Sequence, residues 1–271
     1  MNRTRLAAGG LPLYFFRPLD YLCPACQKGK QQRTPLPRTA PNRPAATPYP
    51  TAARPGRATG TRLHFDCYEY CRGDRTTSWQ GNKYCTVFKD EHTDMEWTFF
   101  HPDKTSWAKL ALRPMLTILR QDGKELQGMH SDTEHMYWTP PNVDALRGNF
   151  PGARITGSPV GYPQCNGYVE NAIKTLNDGI RTVMAEAPHL GPRAWQSAAI
   201  FCTELRNKTC TTGQALTPFE RYHGIRPSFA LDVPFGTPVY IYLDPGRRHA
   251  PSGARLPGLY PSPVPRRPPR L

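Results

Sequence analysis

No stretch of this 271-residue chain approaches the ~18 apolar residues that a membrane-spanning helix needs, which excludes an integral membrane protein. Cysteine is sparse: eight residues are too few for a disulfide-framed scaffold, and a reducing compartment fits better. The apolar start at Arg3–Phe16 is interrupted by Gly9, Gly10 and Pro12 and lacks a small-residue cleavage site, so it does not read as a secretory leader. Acid is missing from two stretches. Residues 21–65 hold eight Lys/Arg and residues 245–271 hold six Arg, with no Asp or Glu in either. Those charges equal the whole formal surplus of +14, while residues 66–244 carry 18 basic and 20 acidic side chains.

Proline follows the same division, with seven in 31–60 and eight in 245–271. Segments of this composition cannot bury enough apolar surface to offset chain entropy, so both are expected to be disordered arms. Basic arms on a near-neutral globule suit a phosphate backbone; the alternative is a solvated linker and tail.

Between the arms, the period of the apolar residues predicts alternating strands and helices. Arg62–Tyr68 alternates Leu63, Phe65 and Cys67 against His64, Asp66 and Tyr68, as a half-buried strand does. Lys83–Lys89 and Met95–Phe100 read as two more strands, giving an antiparallel meander. Thr105–Leu119 is helical by spacing, with a kink or a fresh start at Pro114. Leu126–His130 is a fourth strand. The strongest helix is Gly167–Ala187, where Val169, Ala172, Ile173, Leu176, Ile180, Val183 and Met184 form one stripe, with Asn166 as its expected N-cap. Helices at Arg193–Asn207 and Thr217–His223 complete a mixed sheet covered by helices.

Three acids stand out by position. Asp66 sits mid-strand, where Asp is disfavoured. Asp132 closes another strand, and Glu170 lies in the first turn of the strong helix. Singly each has a bland reading, as a turn residue or as a carboxylate favouring a helix start. Together they would suit Mg²⁺, which takes oxygen ligands.

These residues also carry a resemblance. Gly161–Asn171 (GYPQCNGYVEN) resembles the Pro-Gln-x-Asn-Gly-x-x-Glu signature of retroviral and retrotransposon integrase cores. Leu63–Asp66 (LHFD) and His130–Asp132 (HSD) resemble that family's first- and second-aspartate strands. Cys23–Lys30 (CPACQKGK) resembles the end of the zinc-binding segment in copia-type elements. Thr217–Gly224 (TPFERYHG), Pro227, Phe235, Gly236 and Tyr240 resemble the end of a copia-type integrase.

The resemblance implies a ribonuclease-H-like fold and an Asp66, Asp132, Glu170 triad holding two Mg²⁺ or Mn²⁺ ions. It also implies metal-dependent 3′-end processing and strand transfer of element DNA into target DNA. The implied partners are element-end and target DNA and further copies of the chain, with no membrane, and the implied location is the nucleus. The implied division is a zinc-segment remnant at 1–30, a basic linker at 31–60, the catalytic core at 61–230, a short extension at 231–259 and a tail at 260–271.

Some positions depart from the family pattern. Cys23 and Cys26 supply two thiolates, but residues 1–22 hold neither His nor another Cys; a complete zinc site is therefore not expected in this chain, and the N-terminus reads as truncated. Thr133–Met136 replaces a Gly-containing turn. Pro140-Pro141 and Pro151-Gly152 predict a distorted loop between the second and third acids.

For DNA contact, Lys174, Asn177 and Arg181 share the helix face of Glu170, with Lys174 the first choice; the alternative is a solvated polar face. The amides of Gln164 and Asn166 either touch substrate or, for Asn166, cap the helix. A DNA-binding relic without catalysis and a generic ribonuclease-H-like nuclease are the other readings.

Overall fold

The computed structural model describes residues 61–71, 76–132, 137–158, 166–210, 214–230 and 232–238. The expectations for both arms, for Cys23 and Cys26, and for Gln164 fall outside them. The elements below belong to the compact unit that ends at Gly236.

Three strands, β1 (Thr61–Glu69), β2 (Tyr84–Asp90) and β3 (Glu96–His101), form the expected antiparallel meander. Two further strands, β4 (Leu126–Ser131) and β5 (Arg154–Gly157), extend the sheet in parallel on the other side of β1. The sheet order is β3-β2-β1-β4-β5.

The chain reaches α1 (Arg113–Gln121) through a 3₁₀ turn at Lys104–Ser106 and a π-helical turn at Ala108–Leu112. Pro114 does not start a fresh helix: the helical backbone runs on from the π-helical turn into α1, with Leu112 at φ −62° and ψ −56°, and the proline sits where the wider turn ends. At Pro140-Pro141 the prolines do stand at a helix start, where a missing N–H has no partner to lose. Both prolines open a helix, α2 (Pro140–Asn149), in the stretch expected to be a distorted loop.

Three helices follow: α3 (Gly167–Glu186), α4 (Trp195–Lys208) and α5 (Pro218–His223). The start of α5 is fixed by a capping box, with the Thr217 hydroxyl accepting the Glu220 N–H and the Glu220 carboxylate accepting the Thr217 N–H. Gly224 stops it at φ 72°, a left-handed conformation that only glycine adopts without strain.

Each face of the sheet is covered. On one, Leu63, Phe65, Phe88 and Met129 pack on Trp107, Met115 and Leu119 of the α1 segment and on Leu146 of α2. Phe65 is fully buried, with its ring 5.0–5.6 Å from those of Phe88, Trp107, Tyr137 and Trp138. On the other face, Tyr70, Cys85 and Val87 pack on Val169, Leu176 and Ile180 of α3 and on Trp195, Ala198 and Cys202 of α4. A three-strand meander extended by two parallel strands, with helices on both faces, is the ribonuclease-H-like arrangement expected from the sequence. All five described cysteines are free thiols, and burial pushes Cys202 up to about 12.

Gly128 marks the tightest approach in the sheet. A Cβ there would stand 2.7 Å from the Arg154 carbonyl oxygen of β5. Gly128→Ala should lower stability by roughly 1–3 kcal/mol, because that backbone must move. On α2, a Cβ at Gly148 meets nothing within 4 Å, so Gly148→Ala should raise stability by up to about 1 kcal/mol. Urea midpoints of the two variants should therefore move in opposite directions.

Candidate functional site

The alternation of β1 sends Phe65 into the aromatic core and turns His64 and Asp66 to the α3 face. Strand β4 repeats the arrangement. Leu63 pairs with Met129 and His64 with His130, so His130 shares the α3 face, with its imidazole 5.1 Å from that of His64. The paired register ends at His64 and His130; Asp66 lies two residues further along β1, and Asp132 follows the last residue of β4. His130 is held by the Thr156 hydroxyl at 2.8 Å and the Ser158 hydroxyl at 3.2 Å. The Asp66 carboxylate accepts the Cys67 N–H at 2.7 Å. The Asp132 carbonyl accepts the Ser131 hydroxyl and the Trp138 indole N–H.

Glu170 reaches this face from above. Helix α3 buries Val169, Ala172, Leu176 and Ile180. At about 100° per residue, Tyr168 and Gly179 fall on one flank of that stripe and Glu170, Lys174, Asn177 and Arg181 on the other. Gly179 faces Cys202 of α4, and α4 lies over β3 through Trp195 and Phe100. The flank of Glu170 is therefore turned away from α4, to the β4 side of the sheet.

Glu170 and Lys174 are exposed there. Arg181 is also exposed, but it is engaged by Asp178 one turn back. Asn177 is half-buried, with its Oδ1 unpartnered. Asn166 stands at the N-cap position without making a capping hydrogen bond. Its φ of −100° and ψ of 4° are not the extended geometry of a capping residue, and its amide is buried with both polar atoms unpartnered.

As a donor set, carboxylates of this kind suit Mg²⁺, which commonly takes one or two from protein and the rest of its oxygens from substrate and water. Asp66 of β1 and Asp132, which follows β4, are two such carboxylates. Among the described residues, however, no three His, Cys, Asp or Glu side chains form a group that could hold a metal ion. Glu170 does not close with the two aspartates into one ligand cluster.

Sequence reasoning missed what holds the first turn of α3. The Tyr168 hydroxyl donates to Asp94 at 2.6 Å and to the Asp90 carbonyl at 3.0 Å. Its ring packs edge-on to His64 and under the Lys89 ammonium. Asp94 occupies the β2–β3 turn at φ 61°, a left-handed position that Asp tolerates, and also binds Arg221 of α5 at 2.7 Å. Burial pushes the Asp94 carboxyl up, but the Tyr168 and Arg221 hydrogen bonds and the nearby cations outweigh it and hold it below the usual range. Burial pushes Asp90 the other way, above its usual value, against its hydrogen bonds from Thr93. One signal was available in the sequence: a His two residues before each strand Asp, at His64 and His130.

No family model matches the chain, and no curated protein matches it. Among solved structures it is similar to the HTLV-2 integrase catalytic core domain, solved in complex with magnesium in a trimeric form. Identity is 12%, the alignment covers 60% of this chain and 95% of that one, and the TM-score is 0.46. The fold rests on the strand order and helix layers described above.

Tyr168→Phe should cost about 1–2 kcal/mol by removing the hydroxyl from buried acceptors. Because the folded Asp94 carboxyl is depressed, its stabilisation is present above its unfolded value and lost as pH falls through the folded one. The gap between parent and variant should therefore narrow below about pH 4. Urea unfolding across pH 2–7 measures it.

Proposed function

We propose that this chain is an integrase-type polynucleotidyl transferase, which cuts and rejoins phosphodiester bonds at DNA ends: 3′-end processing followed by strand transfer into target DNA. The observation that carries the reading is the in-register pairing of His64 with His130, each two residues before an aspartate. The motifs at Leu63–Asp66, His130–Asp132 and Gly161–Asn171 support it independently of that geometry.

Asp66 and Asp132 are assigned to hold a divalent cation, Mg²⁺ or Mn²⁺, with Glu170 as the third acid. When bound, such ions offset the charge that develops on the attacking and leaving oxygens of an in-line displacement. Around them, Lys174 is assigned to a DNA phosphate and the Gln164 amide to the DNA end; the Asn166 amide, being buried, is left out of that contact. Arg181 and Asn177 extend the same flank, with Arg181 the weaker contact because Asp178 already holds it. Element and target DNA are the proposed substrates, a homo-oligomer the active form, and the nucleus the site of action. No described helix is long and apolar enough to cross a membrane.

A second reading, a DNA-binding chain without catalysis, is favoured by one contact: the Asp66 carboxylate folds back onto the Cys67 N–H.

Asp66→Asn separates the two. Asparagine keeps the size and can still accept the Cys67 N–H, so folding should survive, while the charge that would hold a cation is gone. Mg²⁺-dependent joining of a labelled DNA end should fall at least a hundredfold, roughly, with an unchanged melting temperature. Joining at the parent's rate would refute the assignment. A parent that binds DNA ends but joins none would establish the second reading.

A further inference from the structure

A second charged surface lies on the far side of the sheet from the three acids. From Lys104 to Gln121 the chain has four basic residues and no acid. All four are exposed, and three of them, Lys109, Arg113 and Arg120, lie on the helical turns whose Trp107, Ala111, Leu112, Met115, Leu116 and Leu119 face the core. Among the described residues Lys109 and Arg113 enter no ion pair, and Arg120 spends one donor on the Asn149 amide at 3.0 Å. The neighbouring helix α2 adds Asp144 and Arg147, which cancel. Asp103 and Asp122 flank the stripe, which stays net positive on a unit whose sequence is otherwise close to neutral.

Its chemistry selects a partner. Lys109 and Arg120 are about 16 Å apart along the helix axis. A duplex presents one phosphate charge per ~1.7 Å of its axis, so three cations in this reach can each find a phosphate without any base register. The residues between and beside them, Thr117 and Gln121, are exposed hydrogen-bonding side chains. Together with Arg120 they line a shallow, open depression of the surface. The stripe's one sizeable apolar side chain in solvent, Leu110, is only 37% exposed. A protein partner would want a buried aromatic or aliphatic anchor, which the patch does not offer.

We infer that the exposed face of the α1 segment, through Lys109, Arg113 and Arg120, is a sequence-independent binding surface for the phosphate backbone of duplex DNA, distinct from the acid-bearing face. A duplex seated there cannot reach Asp66 or Asp132 through the sheet. The surface therefore holds a DNA segment other than the one at the acids. The inference does not need the chemistry proposed above: if the chain joins no DNA, the stripe still binds it.

The test is a salt titration of binding by the full chain to two unrelated blunt duplexes of about 20 base pairs. It compares the parent, the triple variant Lys109→Gln/Arg113→Gln/Arg120→Gln, and the charge-preserving Arg113→Lys/Arg120→Lys. Glutamine is a good helix former and the three positions are exposed, so far-UV circular dichroism should be unchanged. The triple variant should lose about 2.7 from the slope of log affinity against log salt, at roughly 0.9 per phosphate contact. Between about 50 and 200 mM salt its affinity should then fall ~40-fold less than the parent's. The loss should be equal on both duplexes, because phosphate contacts carry no base information. The charge-preserving variant should keep the parent's slope. A triple variant with the parent's slope and affinity would overturn the inference. So would a loss confined to one duplex, or unchanged duplex binding with lost binding of poly-glutamate, which would assign the stripe to an acidic protein.

Discussion

The structure depends on β1 lying at the centre of the sheet with both faces committed. Phe65 is locked among four aromatic rings on one side, and that packing decides that Asp66 emerges on the other. A slip of one residue against β2 or β4 would send the carboxylate into the Trp107 layer and Phe65 under α3, so register is enforced by the burial energy of several large side chains. The parallel pairing with β4 then transfers the choice to a second strand: once Leu63 sits beside Met129, His130 and the approach to Asp132 are set on the same face.

This two-sidedness gives the molecule a division of labour. The α3 face collects carboxylates, imidazoles and the flank with Glu170 and Lys174. The α1 face carries a dense apolar core beneath and exposed cations above. The sheet, one strand thick, keeps the two chemistries apart while sharing a single core strand. Anything that stiffens β1 from below, such as the stacking of Phe65 on Trp107, also steadies the position of Asp66 above.

Much of this was legible in the sequence. The alternation of β1, the meander and the apolar stripe of α3 are periodic, and periodicity is local information. The failures have local causes too. Pro140-Pro141 looked like a breaker because proline is hostile inside a helix, yet in the first turn it is well tolerated. Strand β5 is four residues with no fully buried position, so no alternation announced it. Asn166 had the right residue type for a cap but adopts the wrong backbone angles. At the site, the acids could be named but not their neighbours. That His64 would meet His130, or Tyr168 meet Asp94, follows from strand register and helix docking, which the chain specifies only through contacts far apart in sequence.

The β2–β3 hairpin shows how far apart. Glu96 is 3% exposed, and its carboxylate is matched by Lys89 at 3.0 Å and by Arg206 of α4 at 2.8 Å. Its backbone is clamped on both sides by the Asn207 amide, 111 residues downstream. During vectorial synthesis the hairpin leaves the ribosome long before these counter-groups exist. Until α4 is made, a dry interior around Glu96 would enclose a carboxylate with Lys89 as its only neutralising charge, a poor state for a buried acid. Closure of the α3–α4 face around Glu96 therefore draws on Arg206 and Asn207, 110 and 111 residues downstream.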